Sequence, residues 1–269
     1  MPKMPIKDIL LRPLILTLAL ALMSCSDESG KTPDIIKPSK TPPFEGTIFL
    51  DPDIITDEDP TTFQSITYAG QGLRTIFDRR PASWITVNAF LFNVVFDDGL
   101  TTEVQVNPEF NSVSAAQIEA DKYARLVGQL PKALRRDVDA IWINAGVQPF
   151  GGGNNSILIH TEQSINYEIA GILEETLVHE ASHTSLDADH ANTTAWRNSQ
   201  ILDGNFISTY ARDYPTREDI SETFLLYMAI RYRASRISSE LKNTVEETIP
   251  NRIIYLDNQV FDMYPIVSD

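Results

Sequence analysis

Two histidines and a glutamate stand at metal-ligand spacing within five consecutive residues. His179 and His183 are four positions apart, and Glu180 directly follows the first histidine. On a helix, side chains four positions apart lie on the same face, so both imidazoles could bind one ion. Glu180 would lie about 100° further around that helix, where its carboxylate could reach a water molecule without ligating the metal. These residue types at this spacing predict metal-assisted hydrolysis with a carboxylate as general base.

The five-residue run has the H-E-x-x-H pattern of zinc peptidases. Segment 167–178 directly precedes it and predicts the helix that would carry it, because apolar residues recur there at helical spacing. The expected buried stripe of this helix consists of Ile169, Ile172, Leu173, Leu177 and Val178. The competing interpretation is a solvated helix with two surface histidines and a surface glutamate, since so short a pattern also occurs by chance.

A catalytic zinc site requires a third protein ligand, and three residues are candidates. Two of them, Asp189 and His190, lie six and seven residues after His183. Metzincins place their third ligand six residues after the second histidine. Leu186 occupies the metzincin glycine position, where the chain must turn sharply, and this disfavours the metzincin arrangement. The third candidate, Glu218, lies further along the chain.

Glu218 and Glu222 stand four residues apart in a segment that predicts another helix. Thr216 would cap this helix, placing Glu218 in its first turn and Glu222 one turn later on the same face. One carboxylate could then bind the zinc ion. The other could accept a hydrogen bond from the second nitrogen of a ligand imidazole and so fix its orientation.

H-E-x-x-H followed by Glu-x-x-x-Glu on a later helix resembles the gluzincin plan, of which thermolysin is an example. The segment 210–224 is especially similar to the catalytic domain of anthrax lethal factor and its bacterial relatives, and the whole resemblance covers residues 167–224. It implies Zn²⁺ ligands at His179, His183 and Glu218, a general base at Glu180, a supporting carboxylate at Glu222 and an oxyanion-stabilising phenol at Tyr210. This chain has one more residue than lethal factor between that tyrosine and the glutamate, so Tyr214 is the alternative phenol.

The function expected from these residues is that of a zinc-dependent peptidase acting on a peptide or protein substrate. The strand predicted at 156–160 would be the edge on which an extended substrate aligns. A serine hydrolase is disfavoured because the sequence contains no Gly-x-Ser-x-Gly motif. The alternative from a different class is a catalytically inactive, surface-anchored binding or structural lipoprotein with a peptidase-like fold.

The pattern of predicted strands and helices that must position these residues indicates an α+β fold in two parts. Residues 44–110 form a strand-rich half, and residues 111–269 form a mainly helical, zincin-like catalytic domain. Strands are predicted at 47–50, 66–68, 84–96, 103–106, 140–144 and 156–160, with turns at 97–99 and at the glycine triplet 151–153. Helices are predicted at 114–130 with Ser114 and Gln117 as a capping box, shortly after Pro131, at about 167–185, 192–201 and 216–236, and near the C-terminus.

Composition and charge exclude several functional classes. The 269 residues include 22 Lys and Arg against 37 Asp and Glu, for a formal net charge of −15. Such an acidic chain is not expected to bind nucleic acid, because phosphate neutralisation requires clustered basic residues. A single cysteine excludes an intrachain disulfide framework and any cysteine-based zinc cluster.

The N-terminal segment is typical of an exported protein. Lys3, Lys7 and Arg12 precede a short apolar run at 14–23, which predicts a signal peptide over residues 1–24. Cys25 follows in a context that resembles the bacterial lipobox, which implies lipidation of its sulfur. Residues 25–43 would then be the lipidated cysteine and a flexible tether. We therefore expect a bacterial cell-envelope protein, at the outer membrane or cell surface, that contacts the membrane only through its lipid.

Overall fold

The computed structural model describes residues 40–50 and 54–266; the predicted signal peptide, Cys25 and most of the tether lie outside them. The predicted α+β fold is confirmed, and it is built on one mixed sheet of six strands. The strands are β1 (Phe63–Asp78), β2 (Ser83–Phe96), β3 (Thr101–Val106), β4 (Ala140–Asn144), β5 (Gly151–Gly153) and β6 (Ser156–His160). The helices are α1 (Val113–Gly128), α2 (Lys132–Arg135), α3 (Thr161–Ala170), α4 (Leu173–Leu186), α5 (Thr194–Asp203), α6 (Thr209–Asp213), α7 (Asp219–Tyr232), α8 (Ser239–Thr248) and α9 (Pro250–Asp257).

The strands lie in the order β1-β2-β3-β4-β6-β5. Strands β1 to β3 form an antiparallel meander, in which the turn predicted at 97–99 joins β2 to β3. Strands β3, β4 and β6 are parallel, and β5 pairs antiparallel with the outer side of β6. The glycine triplet predicted as a turn is therefore a strand. Among the described residues it is β5, and not β6 as predicted, that forms this edge of the sheet.

The two faces of the sheet have different neighbours. Ile141 and Ile143 of β4 and Ile157 and Ile159 of β6 are fully buried in a core shared with α1, α4 and α7. Side chains between them, such as Trp142, point to the other face, because successive residues of a strand alternate. There they form a smaller apolar cluster with residues of β1 and β2. The helices that carry the candidate site thus pack on one face only.

The prediction of a strand at 47–50 is wrong. The segment instead binds two helices through its backbone N–H groups. The backbone N–H of Ile48 donates to the carboxylate of Glu222 on α7 at 3.0 Å, and that of Leu50 donates to Glu175 on α4 at 2.6 Å. Because buried carboxylates accept these hydrogen bonds, the two backbone N–H groups are satisfied without joining the sheet.

The helices predicted at 114–130 and 167–185 have different bounds in the structure. The first long helix begins at Val113 and is capped by Ser112, whose hydroxyl accepts from the Ala115 amide, and not by Ser114. The helix predicted at 167–185 is broken at Gly171, whose φ of 69° is a left-handed conformation that favours glycine. Ile169, predicted to be buried, therefore ends a separate helix, α3, and is 81% exposed. Among the described helices, none is long and apolar enough to cross a membrane.

Candidate metal centre

Helix α4 holds His179 and His183 on one face, as their spacing predicts. The opposite side of the helix is fixed in the core, where Leu177, Val178 and Ala181 are fully buried. The two imidazoles remain partly accessible, with 12% or less of each side chain exposed. Their Nε2 atoms lie 3.1 Å apart, so both nitrogens point to the same position.

Glu218 brings a carboxylate to that position from a different part of the chain. It stands immediately before α7, whose first residue is Asp219, and Thr216 does not cap the helix as predicted. One carboxylate oxygen, Oε2, lies 3.1 Å from the Nε2 of His183 and 3.4 Å from the Nε2 of His179. These three residues form a group that could hold a metal ion.

The electrostatics of the group fit cation binding. Burial by itself would raise the pKa of Glu218, but the hydrogen bonds and charges of His179 and His183 outweigh it and hold this pKa far below its usual range. Burial would likewise lower the pKa of His183, but the carboxylates of Asp187 and Glu218 raise it to about 10. In the metal-free protein, the proton on His183 therefore supplies the positive charge between the carboxylates of Asp187 and Glu218.

Each histidine also has a carboxylate near its second ring nitrogen. The Nδ1 of His183 lies 2.9 Å from Asp187, which follows it by one helical turn. The Nδ1 of His179 lies 3.6 Å from the Oε1 of Glu222, a buried oxygen with no hydrogen-bond partner among the described residues. Carboxylates in this position fix the tautomer and the orientation of ligand imidazoles.

Glu222 is held rigidly by its other oxygen. The Ser208 hydroxyl donates to Oε2 at 2.7 Å, and the Ile48 amide donates to the same atom. Burial raises the pKa of Glu222 to about 7, although His179 and these hydrogen bonds act in the opposite direction. The structure thus places Glu222 behind His179 rather than among the three converging ligand atoms.

The other two candidate third ligands lie elsewhere. Asp189 is exposed and forms an ion pair with Arg136. The Nδ1 of His190 is 2.8 Å from the Tyr255 hydroxyl, and the imidazole is packed against Tyr255 and Phe261. Neither side chain belongs to the group of converging ligand atoms among the described residues.

Glu180 lies beside the histidines and is half-buried. No described residue donates a hydrogen bond to its carboxylate, and its charge contributes to the raised pKa of His183. A carboxylate near the group but free of hydrogen bonds could accept a proton from a water molecule there.

The tyrosine that reaches the group is Tyr210. Burial and the charge of Glu218 raise its pKa to about 12, although Arg217 acts in the opposite direction. Tyr214 is 48% exposed, and its ring packs edge-on against that of Tyr210 with the centroids 5.2 Å apart. Arg217 also donates to the outer oxygen of Glu218 at 2.6 Å.

Strand β5 packs directly against the turn of α4 that carries Glu180. A Cβ atom placed on Gly152 would lie 1.8 Å from the Glu180 carbonyl oxygen, so only glycine permits this approach. The Thr184 hydroxyl connects the two elements, because it accepts from the Gly153 amide and donates to backbone carbonyls of α4 and β6. The edge of the sheet therefore borders the candidate site.

Sequence reasoning missed Asp187 and Arg217. Asp187 could have been found from its spacing, since it follows His183 by four residues, or one helical turn. Arg217 gave no such signal, because its role depends on contacts that only the folded chain creates. Comparisons of this chain with family models, with curated proteins and with solved structures find no match.

Proposed function

We propose that this chain is a zinc-dependent peptidase of the gluzincin type, with Glu180 as the general base. The observation that carries the proposal is the convergence of His179, His183 and Glu218 on one position, beside Glu180, whose carboxylate accepts no hydrogen bond from the described residues. The carboxylates behind both imidazoles support it further, because isolated surface histidines do not require them.

The distances within the group agree with those of a zinc site. Ligand atoms that surround zinc tetrahedrally at about 2.0–2.1 Å lie about 3.3 Å from one another. The three pairs of atoms here are 3.1, 3.1 and 3.4 Å apart. Two imidazoles and one carboxylate also form a known catalytic zinc set, in which the fourth position stays open. Zinc is therefore the metal that we propose.

The roles of the side chains follow from their positions. A zinc ion bound by these three ligands would polarise the scissile carbonyl and make water nucleophilic at neutral pH. Glu180 would accept the proton of the attacking water and transfer it to the leaving amine. The Tyr210 hydroxyl would donate a hydrogen bond to the carbonyl oxygen as negative charge develops there. Arg217, which donates to the outer oxygen of Glu218, would hold that ligand in place.

The substrate would bind as an extended peptide along β5. On the outer side of β5, no strand pairs with it among the described residues, which suits this edge to strand addition, although both backbone groups of Gly153 are already hydrogen-bonded to side chains. A peptide bound there would pass beside Glu180, because β5 contacts the α4 backbone at that residue. This geometry supports a peptide substrate better than a small molecule.

The first test separates metal binding from catalysis. Glu180→Gln should retain zinc, since Glu180 is not a ligand, and should lower peptide hydrolysis by about 10²–10⁴-fold. Zinc content and cleavage of a random peptide pool are measured on the same preparations of the full chain. Asp189→Asn is the matched control, because it changes an exposed carboxylate nearby and should leave both values unaltered. A parent protein that binds zinc but cleaves nothing would favour the inactive lipoprotein instead.

A further inference from the structure

A pocket lies on the opposite side of β5 from the candidate metal centre. Neighbouring residues of a strand point to opposite faces, so that Gly152 faces α4 while Gly151 faces away from it. A Cβ atom on Gly151 would lie 2.9 Å from the Arg79 guanidinium. Besides β5, the pocket is lined by Phe77, Arg79, Trp84, Trp142 and Leu158, and its volume is about 270 Å³. We refer to it as the hairpin pocket.

The long hairpin of β1 and β2 forms the outer wall of this pocket. Its tip lies against the face of the sheet that carries Trp142 and Leu158. The indole rings of Trp84 and Trp142 pack edge-to-face with centroids 5.4 Å apart, and Phe77 packs on Trp84 in the same manner. The Asn144 side-chain amide donates to the Phe77 carbonyl. These contacts fix the tip beside β5, so the pocket is preformed.

Arg79 supplies a positive charge that no described carboxylate neutralises. Its Nη2 donates to the Phe150 carbonyl at 2.8 Å, and its buried Nε has no hydrogen-bond partner. The next residue, Arg80, shows the opposite behaviour, since it forms ion pairs with both Asp78 and Glu109. A guanidinium with unused donors among aromatic rings fits a carboxylate that can accept two hydrogen bonds.

The hairpin pocket and Glu180, the candidate general base, both adjoin β5. Gly152 lines the pocket, and a Cβ atom placed on it would lie 1.8 Å from the Glu180 carbonyl oxygen. A ligand in the pocket would therefore be near the bond that Glu180 acts on.

We propose that the hairpin pocket is a substrate subsite that selects an aspartate or glutamate side chain through Arg79. The proposal rests on the proposed peptidase function. A peptide paired with β5 directs alternate side chains to the face that carries the pocket. The aromatic walls contact the methylene groups of the acidic side chain, and the guanidinium binds its carboxylate.

Cleavage-site profiling of a random peptide pool tests this subsite. The parent protein should prefer Asp or Glu about tenfold at one fixed position near the cleaved bond. Arg79→Gln should abolish the preference, and Arg79→Glu should favour Lys or Arg at the same position. Arg74→Gln is the matched control, because it removes the same charge from the same hairpin at an ion pair with Glu103. A profile without acidic preference, or one that Arg79→Glu leaves unchanged, overturns the subsite and leaves the peptidase proposal intact.

A binding experiment tests the pocket without catalysis. Trp84 and Trp142 line it, so their fluorescence should change when a peptide enters. Two random pools that differ only in one central Glu or Gln are titrated into the Glu180→Gln chain. The Glu pool should bind about tenfold more tightly, and adding Arg79→Gln should make the pools equal. Equal binding before that change contradicts the subsite. Selective binding without any cleavage by the parent supports the pocket while refuting the peptidase.

Discussion

At the scale of single residues, each proposed ligand has a second contact that restricts its orientation. Asp187 holds the far nitrogen of His183, and Arg217 holds the outer oxygen of Glu218. Glu222 approaches the far nitrogen of His179, where its free oxygen would accept an N–H of a neutral imidazole. The proposed site is therefore organised before any ion binds, which limits the conformational entropy that binding removes.

Zinc affinity should rise with pH. Burial alone would lower the pKa of His183, but the carboxylates of Asp187 and Glu218 raise this pKa to about 10 in the metal-free protein. Zinc binds only the neutral imidazole, so below this pKa each binding event must release the proton. The apparent Kd should therefore fall about tenfold for each pH unit as the pH rises toward about 10. Competition with a chelator of known pH dependence measures this, and a Kd that is constant between mildly acidic and mildly alkaline pH would contradict it.

At the scale of secondary-structure elements, the contact between β5 and α4 aligns the sheet edge with Glu180. Gly152→Ala should disturb it, because the new Cβ atom would meet the Glu180 backbone carbonyl at 1.8 Å. Overpacking of this kind typically costs about 1–3 kcal/mol of unfolding free energy, and peptide cleavage should fall as well. Denaturant unfolding and hydrolysis assays measure the two effects.

Gly72→Ala provides the control for this substitution. Gly72 lies in β1, and its added Cβ atom would meet only the ends of the Leu91 and Arg74 side chains, which can move. The unfolding free energy should change by about 0.5 kcal/mol or less, as for most surface substitutions. If both alanine variants lose equal stability and activity, the close contact of β5 with α4 has no special role.

Local spacing accounts for what could be predicted from the sequence. The positions of His179 and His183 on one helix face depend only on helical periodicity, and the Glu218–Glu222 pair follows from the same rule. The predictions for segment 47–50 and the glycine triplet 151–153 are wrong because distant residues decide their structure. Carboxylates of α4 and α7 bind the first, and the Glu180 carbonyl requires glycine in the second.

At the scale of the whole molecule, the sheet separates two environments. One face packs against the helices of the candidate metal centre, and the other carries the hairpin pocket with Arg79, which no described carboxylate neutralises. Strand β5, the short edge strand, borders both. An acidic chain with a formal net charge of −15 would repel acidic peptides in general, so the proposed selection for them would depend on the local positive charge of Arg79.

The proposed lipid anchor lies outside the described residues and needs its own test. Cys25→Ala should prevent acylation, because a diacylated lipoprotein carries its lipid through the cysteine sulfur. Labelled palmitate should enter the parent protein and not the variant, and the variant should keep its signal segment when both are produced in a bacterial host. Incorporation of the label into Cys25→Ala would contradict the lipoprotein interpretation.

Zinc retention after mild chelation tests the central claim, that Glu218 completes a three-ligand site. Glu218→Ala leaves two imidazoles and should lose its zinc, since a three-ligand site then lacks its carboxylate. Asp189→Ala and His190→Ala should retain about one zinc per chain, because neither side chain reaches the group. Metal analysis of the four proteins, parent included, gives the answer directly. If Glu218→Ala keeps its metal while Asp189→Ala or His190→Ala loses it, the proposed site is wrong.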